Sequence, residues 1–199
     1  MGPAETSLTN AAEATLPAIG IGAFRRPVAQ AMEPSLLEAL QEHLMLELQA
    51  SLSYWALAIW FGERDLRGFS NYFKLESESE RQHAAQFADY LVARGQAVPL
   101  RDIPAPRQGW IGLEEILTAV FQMEADLTTS LQQIYAMAER SGDTRTTVFL
   151  DPLIQGQITS ENEVAHLLGR VRLSQNQPAA VLLIDGELAA GQHSPAQLA

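Results

Sequence analysis

The chain contains no cysteine. That excludes disulfides, thiolate metal sites, cysteine nucleophiles and iron–sulfur or rubredoxin-type modules. Positive charge is scarce: 13 Lys and Arg stand against 24 Asp and Glu, for a net charge of -11. Such a surface suits neither nucleic acid nor anionic membranes and attracts cations. No continuous apolar run reaches the roughly 18 residues of a membrane span. The chain also lacks the basic start and apolar run of a secretory signal, so the expected compartment is the cytoplasm. The period-two alternation of a half-buried strand is missing throughout. What is present is 199 residues, 47% of them hydrophobic, enough for one domain with a sizeable core.

Residues 1–34 read as an appended arm, rich in Ala, Thr, Pro and Gly, in which Arg25-Arg26-Pro27 interrupts any helix. A flexible or loosely docked segment is expected there. Glu5, Glu13 and Glu33 argue against a targeting peptide. Ser35 stands three residues before Glu38, a capping-box pattern that predicts a helix over 36–62. Gly62 and the polar Glu63-Arg64-Asp65 form a short turn, and a second helix is predicted over 66–94, ending at Gly95. A connection over 96–112 carries Pro99, Pro104 and Pro106. A third helix is predicted over 113–140, broken by Ser141-Gly142-Asp143. The fourth should occupy 144–175, with Pro152 and Gly156 bending it or delaying its start. A short apolar helix over 179–189 and a tail over 191–199 close the chain. A loop as long as 96–112 counts against a compact domain, unless a helical bundle has one long crossover. The expected fold is therefore all-α: a four-helix bundle over 35–190 with one long crossover and a short fifth helix.

Polar residues fall on faces that should be apolar. Steps of three, four and seven return to one face of a helix. Leu40, Glu47, Tyr54 and Phe61 are seven apart, so Glu47 lies on the inward stripe of the first helix. Glu76, Glu80 and His83 interrupt the stripe Phe69, Phe73, Phe87, Tyr90 on the second. Glu124 lies among Leu117, Val120, Leu127 and Leu131 on the third. Gln157 and Glu161 lie among Leu150, Leu153, Val164 and Leu168 on the fourth. One such Glu is ordinarily a boundary residue reaching solvent. Polar groups on the core face of all four helices are different, because each unpaired buried carboxylate costs several kcal/mol or becomes protonated. A bound cation removes that cost. Several carboxylates around one His, without Cys, point to Fe, Mn or a similar metal. Glu80-Arg81-Gln82-His83 is a Glu-x-x-His pair, the element of di-iron carboxylate bundles.

Over residues 35–190 the chain resembles non-haem, ferroxidase-type ferritins. Leu46-Glu47-Leu48-Gln49-Ala50-Ser51-Leu52-Ser53-Tyr54 is similar to the family's first-helix signature, Glu80 and His83 to its second-helix pair, Glu124 to its third-helix Glu, and Gln157 to the Gln beside its second iron. The intervals Glu47–Glu80 (33), Glu80–Glu124 (44) and Glu124–Gln157 (33) share this register. The resemblance implies a ferritin-like bundle that binds two Fe per subunit. Glu47 and His83 would hold one iron, Glu80 would lie between the two, and Glu124, with Gln157 nearby, would hold the other. Tyr54 would sit alongside. It also implies Fe(II) oxidation by dioxygen or peroxide, and storage of ferric mineral in a homo-oligomeric, 24-subunit cage. Val181, Leu182, Leu183 and Ile184 of the fifth helix would pack between subunits.

Departures from the family pattern carry expectations of their own. Ser79, Gly156, Thr159 and Ser160 stand where many bacterial members carry further carboxylates, so no third iron site of that kind is expected. Glu76 and Asp151 are candidates for the iron's way in, although Asp151 reads equally well as a helix cap before Pro152. Glu161, one turn beyond Gln157, is a candidate extra ligand. A bacterioferritin or di-iron oxygenase would use Glu163-Val164-Ala165-His166 on the fourth helix. His166 is nine residues from Gln157 and so is turned about 180° away. Arg81 stands where a haem-ligating Met would be needed, and no haem is expected.

Overall fold

The structure is a computed structural model that describes residues 20–192. Five α-helices follow in order: α1 (Pro34–Gly62), α2 (Arg67–Ala93), α3 (Leu113–Ser141), α4 (Thr144–Ser174) and α5 (Pro178–Ala189). α1 packs along α2, and α3 along α4, each pair joined by a short turn. The long connection from α2 to α3 is irregular. This is the expected bundle with one crossover.

The ends of the helices follow local chemistry, with one correction. α1 starts at Pro34, whose fixed φ and missing N–H suit the first helical position. Its cap is Glu33, whose Oε2 accepts from the Leu36 amide at 2.9 Å and from the Ser35 hydroxyl. The expected Ser35–Glu38 capping box does not form, because the Ser35 hydroxyl is committed to Glu33 and the helix has already begun. α3 ends at Gly142, which takes φ +68, a left-handed conformation that glycine adopts without strain. Asp143 then caps α4 through the Thr146 amide and holds the buried Arg94 in a two-pronged ion pair at 2.9 and 2.8 Å. Pro152 does not delay α4, which runs unbroken from Thr144 to Ser174.

Residues 20–33 of the arm are docked, and they carry the one β pairing among the described residues: β1 (Gly20–Ile21) against β2 (Pro27–Val28). Two residues per strand are too few to show an alternating pattern. The Ala23 amide bonds the Gly95 carbonyl at 2.8 Å, Arg26 Nη1 bonds the Val92 carbonyl at 3.0 Å, and Val28 and Met32 are buried. Residues 1–19 of the arm and 193–199 of the tail lie outside the described residues. In addition, α1 is long and apolar enough to cross a membrane by length and composition, with a mean hydropathy of 1.2 over 18 residues. Here its buried stripe packs in the bundle, and its other face exposes Trp55 and Ile59.

The core is split in two. One apolar cluster contains Tyr54, Phe61, Phe69, Phe73, Ile116, Val120, Val164 and Val171. The other contains Leu36, Leu40, Leu44, Phe87, Leu91, Leu131, Ile134 and Leu150. On each helix the gap between the clusters is the same kind of place: Glu47, Glu80, Glu124 and Gln157 lie at the junction, all buried. α5 closes one end with Ile184 and Leu188 buried in the first cluster. Ile184 therefore belongs to its own subunit's core, while Leu182 and Leu183 remain exposed.

Candidate metal centre

Glu47, Glu80 and His83 converge: each offers a ligand atom, and these atoms lie within 4.8 Å of one another. His83 Nδ1 faces Glu80 Oε2 at 3.0 Å and Glu47 Oε2 at 3.9 Å. Glu124 forms the other half of the site. Tyr54 donates its hydroxyl to Glu124 Oε1, and Gln157 Nε2 donates to Glu124 Oε2 at 2.6 Å and to its backbone carbonyl at 3.2 Å. α1 and α2 thus supply Glu47, Tyr54, Glu80 and His83, while α3 and α4 supply Glu124 and Gln157.

The electrostatics are those of a site short of positive charge. Burial raises the carboxyls of Glu80 and Glu124 to about 7, and burial with the Glu163 charge raises Glu76 to about 8. Burial also raises Glu47. Glu47 Oε2 is buried and has no hydrogen-bond donor among the described residues; a bound cation would satisfy it. The donor set is carboxylate, imidazole and amide, which suits a hard or borderline metal.

His43 belongs to this site, and the motif reading missed it. It is fully buried on α1, with Nε2 2.8 Å from Glu47 Oε1 and Nδ1 2.9 Å from Ser130 Oγ. Burial lowers it to about 4, so the ring is neutral. An ionised Glu47 only accepts, which places the proton on Nε2 and makes Ser130 the donor to Nδ1. The signal was available: His43 lies four residues before Glu47 on the same stripe.

The weaker candidates separate. Glu76 is half-buried on α2, and the charge acting on it most strongly is Glu163 of α4. Glu161 instead accepts from Thr128 of α3. The inward side of α4 has two flanks: Glu161 turns to α3 and Glu163 to α2, so Glu163 is the carboxylate brought to Glu76. Asp151 is exposed in the interior of α4, where it raises Tyr135. The helix cap is Asp143, so Asp151 caps nothing. His166 is exposed, leaving α4 without an inward Glu-x-x-His.

A four-helix bundle with buried carboxylates and an imidazole at one level defines a metal-binding carboxylate bundle. The Ferritin-like domain family model matches residues 37–174, and the chain belongs to the ferritin family, a family of iron-storage proteins. It is 29% identical over 155 residues to a ferritin of Pacifastacus leniusculus, covering 76% of this chain and 86% of that one. It is 27% identical over 131 residues to a bacterial non-heme ferritin of Staphylococcus haemolyticus, covering 66% and 79%. An open pore ferritin from the archaeon Archaeoglobus fulgidus superimposes with a TM-score of 0.78 at 25% identity, covering 80% of this chain and 98% of that one.

Proposed function

We propose that the chain is a ferroxidase that takes Fe(II) and dioxygen or peroxide as substrates and stores the ferric product inside a cage of its own copies. The observation that carries this reading is the convergence of Glu47, Glu80 and His83 around a buried carboxylate oxygen with no donor. In this reading Glu47 and His83 bind one Fe(II), Glu124 binds a second with Gln157 beside it, and Glu80 reaches both. Each Fe(II) gives up one electron. Dioxygen takes the two electrons and two protons and leaves as hydrogen peroxide.

The residues contribute in distinct ways. Carboxylates stabilise Fe(III) more than Fe(II), because the added charge interacts more strongly with each anion. Carboxyls held near neutrality give up their protons as the metal arrives. Tyr54 and Gln157 hold Glu124 in a single orientation. We assign residues 35–190 to this ferritin domain, 1–34 to an arm and 191–199 to a tail. The cage is a homo-oligomer of 24 subunits, as the family resemblance implies.

The test is aerobic oxidation after adding two Fe(II) per chain to the metal-free protein, beside Glu80→Ala. A fast phase in the wild type, reduced at least about a hundredfold in Glu80→Ala with assembly retained, is the expected result. Equal speed in the two proteins removes Glu80 from the site. No fast phase in either removes the ferroxidase reading.

A further inference from the structure

A cleft of about 350 Å³ opens onto the centre between α2 and α4, and Glu47 and His83 form one of its walls. Ser79 of α2 and Gly156, Thr159 and Ser160 of α4 complete much of the rest. Of the ten lining residues only Glu47 is acidic, and neither Glu76 nor Glu163 takes part. Glu47 also supplies the buried oxygen without a donor. The cleft therefore runs up to the residue whose buried oxygen the protein leaves without a donor.

Gly156 is the informative residue. It lies in the interior of α4, where glycine is among the least favourable choices. Its backbone is not left-handed, so conformation does not require glycine. A Cβ placed there would meet nothing within 4 Å, so close packing does not require it either. What the missing side chain does preserve is open space beside Glu47 and His83.

Resting on the ferroxidase reading, we infer that this cleft is the port by which the neutral oxidant reaches the metal pair, kept open by Gly156. A cation is drawn along carboxylates, which focus its approach. Glu76 and Glu163, half-buried and near enough for their charges to act on each other, lie outside this cleft. Dioxygen and hydrogen peroxide carry no charge and gain nothing from carboxylates. They need only an opening, and the hydroxyls of Ser79, Thr159 and Ser160 hydrate one without holding a cation in it.

The experiment plugs the port and separates the two substrates. Assembled wild type, Gly156→Ala, Gly156→Phe and, from another position on the rim, Ser160→Phe are compared. Metal arrival is read from Co(II) absorption on rapid mixing. Oxidant arrival is read by loading Fe(II) without oxygen and then mixing with dioxygen or hydrogen peroxide. Gly156→Ala, which adds one methyl to the opening, should slow oxidation of loaded Fe(II) less than Gly156→Phe does, with a raised melting temperature. The two Phe variants should oxidise loaded Fe(II) at least about tenfold more slowly with both oxidants, while Co(II) uptake stays within about twofold. Slowed Co(II) uptake with unchanged oxidation of loaded iron would make the cleft a cation route and overturn the inference. Unchanged oxidation in both Phe variants would also overturn it while leaving the ferroxidase intact. An absence of fast oxidation in the wild type would remove both.

Discussion

At the residue scale, each polar side chain at the junction is held by another. Ser130, His43 and Glu47 form one chain of contacts, and Tyr54, Glu124 and Gln157 form a second. Partners of this kind behind metal ligands are worth about 10–100-fold in affinity. His43→Phe should therefore weaken the first Co(II) bound by about tenfold or more, and His43→Gln, which keeps an N–H donor, should recover most of the loss. Calorimetric titration of the metal-free protein measures both, and equal affinities would make His43 a packing residue against Phe87. The buried carboxyls also set a pH dependence. Glu80 and Glu124 at about 7, and Glu76 at about 8, hold protons in the folded chain that the unfolded chain has already released. The unfolded state binds fewer protons, so metal-free stability falls as pH rises toward 8. His43, lowered to about 4, opposes this only below its unfolded value of roughly 6.5. His83, raised by its bond to Glu80, acts in the same direction as the carboxyls. Between roughly pH 6.5 and 8 the melting temperature of the metal-free protein should fall, and Glu80→Gln with Glu124→Gln should flatten the slope.

At the element scale, the arrangement depends on close approaches that few residues permit. α5 crosses α2 at Gly68, where a Cβ would come within 1.8 Å of the Asp185 backbone oxygen. Asp185 Oδ1 accepts from the Phe69 amide at 2.9 Å, fixing α5 to the start of α2. Gly68→Ala should push α5 off this seat and cost about 1–3 kcal/mol, the range for overpacking. Denaturant unfolding measures the loss, and faster proteolysis after residue 178 would locate it in α5. Such helix contacts were not legible in the sequence, which marks Gly68 only as a glycine near a helix start. The helices themselves were legible to within a few residues, because long apolar periods, Gly62, Gly95, Gly142 and Pro178 mark them. The arm was not, since Val28 and Met32 show no period and find their cover only against the finished bundle.

At the scale of the whole molecule, exposed apolar surface remains after the bundle closes. Leu182 and Leu183 of α5 are each 61% exposed, while Ile184 on the same helix is buried. In the proposed cage they meet another copy. Leu182→Glu with Leu183→Glu should therefore lower the assembled mass measured by light scattering, with little change in the helical content of each subunit. An unchanged mass would place assembly elsewhere, for example on the face of α1 that carries Trp55 and Ile59. By itself the sequence determined the all-α class, the order of elements and the level at which Glu47, Glu80, His83, Glu124 and Gln157 lie. Helical periodicity sets the direction in which a side chain leaves its own axis, and the period is written in the chain. Only the tertiary structure decided the partners: His43 behind Glu47, Glu163 rather than Glu161 toward Glu76, Asp151 out in solvent, and Gly156 beside an open cleft. Those outcomes depend on which neighbouring helix a flank meets and on how near it comes, and a single helix's period contains neither.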